Sequence, residues 1–190
     1  EAMAEVFLEV IVAPAFTEEA LERLTRKKNL RLMRRVDGFD RRRKLRSVQG
    51  GVLVQDPDVG GEERREVVTQ RAPIAAETAA LELAWKVCKH VRSNAIVFAN
   101  AEQAVGIGAG QMSRIDAAEL AVKRCRLDLA GTAAASDAFF PFRDGLDAVA
   151  AAGATSVIQP GGSKRDGEVI AAADEQNMAM VFTGTRHFRH

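Results

Sequence analysis

The sequence predicts a layered α/β domain with helices on a largely central sheet. Two observations carry this. The short runs "AIVFAN", "TSVIQP" and "MAMVFTG" have the length and apolar content of buried strands. Between them lie segments with apolar residues at helical spacing, so strands and helices alternate as in a sheet covered by helices. A chain of 190 residues, 47% hydrophobic and 28% charged, suits a globular domain with a full core.

Each element has a local reason. Val6 to Ala13 is a short apolar strand, following acidic, helix-like first residues. Thr17 with Glu18 and Glu19 reads as an N-cap and an acidic first turn, opening a helix to about Lys28. "LRLMRRV" reads as a strand. "RKLRSVQGGVLVQD" reads as one longer strand, interrupted at Gly50-Gly51 by a bulge or close backbone approach. Asp56 to Arg71, polar and charged, is an exposed loop. Ala75 to Val91 repeats Leu81, Ala84, Trp85 and Cys88 at helical spacing, which makes Trp85 a core residue. "AIVFAN" and "AVGIGAG" are strands, and Ser113 caps a helix from Arg114 to about Arg126. A Gly/Ala/Ser loop leads to "SDAFFPF", then the helix "RDGLDAVAAAG". The strand "TSVIQP", the turn "GGSKRDG", a helix to about Asn177 and the strand "MAMVFTG" complete the order.

The composition excludes several function classes. A net charge of +1 gives no general attraction to nucleic acid or membrane. Cys88 and Cys125 are far apart, which reads as two buried thiols rather than a disulfide framework or a CxxC zinc site. No apolar run reaches membrane-spanning length, and the acidic start is unlike a signal peptide. A cytoplasmic protein is expected.

The stretch "VGIGAGQMSR" resembles the start of a dinucleotide fingerprint, yet the third glycine comes one position early. The acidic candidate, Asp128, begins no strand. NAD is therefore not expected. The favoured reading is that backbone lacking Cβ lets a flat ligand lie close. Ser113 and the next helix start then supply N–H groups, and Arg114 a planar fork for oxygens.

Several stretches together resemble one known family. "SNAIVFAN…VGIGAGQMSRIDA", "SDAFFPFRDGLDA", "GATSVIQPGGSKRDGEVIAAADE" and "MVFTGTRHFRH" are similar to the bifunctional purine biosynthesis enzymes that join IMP cyclohydrolase to AICAR formyltransferase. "LRSVQGGVLVQDPD" and "EEALERLTRKKNLRL" match as well. The resemblance covers essentially the whole chain. It identifies residues 1–190 with the C-terminal half of the formyltransferase domain, ending at the natural C-terminus. The cyclohydrolase domain and the first transferase half are absent from this sequence.

The resemblance implies a zinc-free, cytidine-deaminase-like α/β/α fold. It implies formyl transfer from 10-formyltetrahydrofolate to the 5-amino group of AICAR, in a homodimer with sites at the interface. Asn94 falls at the centre, its amide placed to hydrogen-bond the formyl or carboxamide oxygen. Arg114 falls on the arginine that grips the carboxamide, Arg186 on a phosphate-binding arginine and Phe188 on the aromatic lining the nucleotide pocket. Ser113, Ile115, Phe139, Phe142 and Asp144 fall on the folate side. The catalytic Lys-His pair belongs to the missing half. Lys89-His90 is not that pair and is expected at a helix end. Some members hold potassium near this helix end, and here Ser93, Asp137 and backbone carbonyls remain as ligands. At Val91, Ala95 and Arg189 the family can offer oxygen or nitrogen instead.

Overall fold

The computed structural model describes residues 6–36, 43–59 and 64–189. They fall into two compact units, Glu1–Val59 and Gly60–His190, where one core was expected.

In the first unit, β1 (Val10–Ala13) and β2 (Arg31–Arg34) pair in parallel across α1 (Glu18–Leu24). Thr17 caps α1 as expected, its Oγ1 accepting the Ala20 N–H at 3.2 Å. The helix stops at Leu24 rather than Lys28, because the Lys27 and Leu30 amides bond carbonyls three residues back in tight turns. β3 (Lys44–Val48) and β4 (Gly51–Gln55) form an antiparallel hairpin. The expected single strand with a bulge is thus corrected: Val48 pairs with Gly51, and Gly50 turns the chain with φ +81°. The described residues of α1 are never buried, and Val12, Met33, Leu45 and Leu53 are exposed.

The second unit holds the core. It contains β5 (Glu66–Val67), α2 (Ala75–Cys88), β6 (Ile96–Ala99), β7 (Ala104–Gly108), α3 (Arg114–Arg124), β8 (Ala133–Ser136), α4 (Arg143–Ala151), β9 (Ser156–Gln159), α5 (Asp166–Glu175) and β10 (Ala179–Phe182). The sheet order is β5-β10-β9-β8-β6-β7. β8, β9 and β10 run parallel, whereas β5, β6 and β7 pair antiparallel to their neighbours. The sheet is therefore mixed.

Period-two alternation divides the core into two layers. Val97, Ala99, Ala135 and Ile158 pack with Leu81, Ala84, Trp85 and Cys88 of α2. Ile96, Phe98, Ala134, Val157 and Met180 pack with the apolar faces of α3, α4 and α5. The unit is an α/β/α sandwich, as the alternation of elements predicts. Two strands lie where loops were expected. β8 is "AAAS", too small and too poor in β-branched residues to read as a strand, yet every residue is fully buried. Small side chains suit it because helices press on both faces. β5 lies within the polar 56–71 stretch and pairs with β10.

A partly buried ion pair ties α2 to the segments entering β9 and β10. Arg71 donates two hydrogen bonds of 2.8 Å to the Glu77 carboxylate, and others to the carbonyls of Asn177 and Thr155. Arg71 holds the Glu77 carboxyl down to about 2.

Candidate active-site cleft

The cleft opens at the edge of the sheet where the parallel strands β8 and β10 end and β6 begins. Ligands of α/β sheets bind at such carboxyl ends because the loops there diverge. Its volume is about 430 Å³. Asn94 precedes β6; Met112 and Ser113 lead into α3, whose first turn gives Arg114 and Ile115. Ala138 to Phe142 follow β8, Asp144 begins α4, and Arg186 and Phe188 follow β10. Every residue assigned to the nucleotide or folate side, from Asn94 to Phe188, lines this one cleft.

Ser113 caps α3 as expected, its Oγ accepting the Asp116 N–H at 3.1 Å. Both hydrogens of the Asn94 amide are used internally, donated to the carbonyls of Gln111 at 2.9 Å and Met112 at 3.1 Å. Two carbonyl partners fix which amide atom is nitrogen. No hydrogen remains for a substrate oxygen, so the expected donor role is corrected: the atom left is the acceptor Oδ1.

Arg114 is 7% exposed and forms an ion pair with the fully buried Asp137. Its Nη1 serves both Asp137 and the Ala95 carbonyl. Its Nε and Nη2 make no hydrogen bond among the described residues. Asp137 also accepts the Ala95 N–H at 3.0 Å, and its own carbonyl accepts the His187 N–H at 2.9 Å. It thus joins β6, α3 and the segment after β10. Sequence reasoning placed Asp137 near a cation and missed that it holds Arg114; 23 residues separate them, and no spacing rule links the two.

The aromatic walls carry cations. The Arg186 guanidinium lies 4.7 Å from the Phe139 ring centroid and that of Arg165 lies 4.8 Å from Phe142. Phe142 is about half exposed, so it is a wall and not core. Arg165 was not singled out from the sequence, where "SKRDG" reads only as a turn.

The glycines of β7 serve packing instead of ligand approach. A Cβ on Gly108 would overlap the Ala117 carbonyl, and one on Gly106 would lie 3.3 Å from the Ala121 carbonyl. Residues two apart on a strand and four apart on a helix have nearly the same rise, so α3 lies flush along β7. Gly110, with φ +66°, then turns the chain toward Ser113.

The remaining reactive groups lie elsewhere. Burial pushes the Cys88 thiol well above its usual range, and Cys125 is half-buried rather than buried. Lys89 is the C-cap of α2, so Lys89-His90 sits at a helix end outside the cleft, as expected.

A sequence profile of the AICARFT/IMPCHase bienzyme family matches residues 1–124. Relatives cover nearly all of the chain. The bifunctional purine biosynthesis protein PurH of Chloroflexus aurantiacus is 59% identical over 199 residues, covering 100% of this chain. That of Myxococcus xanthus is 54% identical with the same coverage, and that of Magnetococcus marinus is 53% identical over 99% of the chain. The chain belongs to the AICARFT/IMPCHase family. It spans 38% of the length of each of these relatives. Among the described residues no helix is long and apolar enough to cross a membrane.

Proposed function

We propose that this chain supplies the AICAR- and folate-binding wall of a formyltransferase. The reaction moves the formyl group of 10-formyltetrahydrofolate to the 5-amino group of AICAR. The amine nitrogen attacks the formyl carbon, the bond to N10 of the folate breaks, and a proton passes from the amine to that nitrogen. The observation that carries the reading is the convergence of all nine expected ligand residues on one cleft.

The chemistry suits those residues. The AICAR amine is a poor nucleophile because its lone pair is delocalised, so alignment supplies much of the catalysis. Asn94 Oδ1 accepts from the amine or the carboxamide NH2, aiming the nitrogen at the formyl carbon. The free edge of Arg114 holds the carboxamide oxygen. Arg186 meets the phosphate and Phe188 lines the nucleotide side. Phe139, Phe142 and Ile115 contact the pterin side, Ser113 borders it, and the Asp144 carboxylate accepts from pterin N–H groups. The cleft walls contain no Lys or His to move the proton. That role falls to a Lys-His pair outside residues 1–190, in the other half of the transferase domain. A zinc-free, deaminase-like fold, a homodimer completing the cleft and a cytoplasmic location belong to the same reading.

Calorimetric titration of AICAR into the chain tests the assignment. Arg186→Met removes a charge-assisted contact and is expected to weaken binding about tenfold or more. Equal affinity for both proteins overturns the reading.

A further inference from the structure

Arg186 and Phe188 line the cleft, while His187 and Arg189 face the body of the fold. His187 is buried against Trp85 of α2, with ring centroids 4.6 Å apart. Arg189 and Ser93 exchange two hydrogen bonds. The Ser93 N–H donates to the Arg189 carbonyl at 2.9 Å, and the Arg189 N–H to Ser93 Oγ at 3.1 Å. The Arg189 guanidinium bonds the His90 carbonyl, just past the end of α2. The last carbonyls of a helix lack partners within it and carry the negative end of its dipole, so a cation is stabilised there.

We propose that Arg189 is a built-in cation at the end of α2. It holds the 186–189 segment closed, positions Arg186 and Phe188 in the cleft, and makes that closure independent of a monovalent metal ion. Ser93, Asp137 and backbone carbonyls are the groups expected to remain for potassium, since Val91 and Ala95 have no side-chain oxygen. Ser93 Oγ is engaged by the Arg189 amide. The Asp137 charge is matched by Arg114, which leaves Oδ2 as its side-chain oxygen without a partner, and the nearby His90 carbonyl is taken by the Arg189 guanidinium. Among the described residues no three His, Cys, Asp or Glu side chains gather as a metal-binding group. The His90 carbonyl, two residues past the end of α2, already has its positive partner in Arg189. Arg189 is a positioning residue, since it acts on ligand only through its neighbours Arg186 and Phe188.

Hydrogen exchange of the 183–189 segment, without substrate, tests this separately from the functional reading. Wild-type protection is expected to be equal in potassium chloride and in tetramethylammonium chloride of the same ionic strength. Arg189→Met is expected to speed exchange about fivefold in the segment, while Arg189→Lys retains most of the protection. AICAR affinity should follow the same order. Loss of wild-type protection when potassium is withdrawn overturns the proposal, and that arm needs no variant. Unchanged protection in Arg189→Met overturns it too.

Discussion

Asn94 and Arg114 each divide their polar atoms between the fold and the cleft, and that division makes them sharp probes. Arg114 gives Nη1 to Asp137 and Ala95 and keeps its Nε–Nη2 edge. Arg114→Lys can keep the charge near Asp137 but loses the second, parallel donor. In a full-length relative we expect turnover to fall about ten- to a hundredfold, and more than AICAR affinity does. Steady-state kinetics checks this, and a loss of affinity with turnover unchanged would mean that the fork acts only in ground-state binding. Asn94→Asp keeps the shape but sets carboxylate oxygen against the Gln111 and Met112 carbonyls. That costs about 2 kcal/mol of stability, measurable by denaturant unfolding. At this scale the resemblance was informative about which residues meet, because side-chain identity survives in motifs. It was silent about which atom of each is free, because that depends on carbonyls 17 and 18 residues away along the chain.

The elements show where local pattern suffices and where packing overrides it. Thr17 and Ser113 are legible as caps because capping is local. β8 was illegible because burial on both faces selects small residues, which hides the strand pattern. The sequence pattern of the β7 glycines suggests a ligand cradle, whereas their lack of Cβ is used by α3. Gly108→Ala therefore destabilises the second unit by about 3 kcal/mol through overlap with the Ala117 carbonyl. Gly51→Ala, with nothing within 4 Å, is the matched control and should leave thermal unfolding unchanged. The Arg71–Glu77 strut adds a pH dependence. Glu77 titrates at about 2 in the fold against 4.5 ordinarily, so its contribution is full above pH 4.5 and is lost as pH falls toward 2. Glu77→Gln should lower stability at neutral pH by about 3 kcal/mol and flatten that acid slope, as followed by unfolding at a series of pH values.

The molecule as a whole offers a candidate cleft with no Lys or His among its described lining residues, and a first unit whose described apolar side chains stay largely exposed. Both fit a chain that spans 38% of its relatives' length. The chain alone should therefore release no tetrahydrofolate from 10-formyltetrahydrofolate with AICAR present, and turnover near that of a full-length relative would mean the shuttle lies within residues 1–190. The proposed function requires that AICAR and folate meet in the cleft between Asn94 and Phe188. Amide chemical shifts of the isotope-labelled chain, followed during AICAR titration, address it most directly. Saturable shifts are expected at Asn94, Ser113, Arg114, Arg186 and Phe188, with Gly50 and Gly51 of the β3–β4 hairpin unmoved. Saturable shifts confined to other surfaces, with those five amides unchanged, would contradict it.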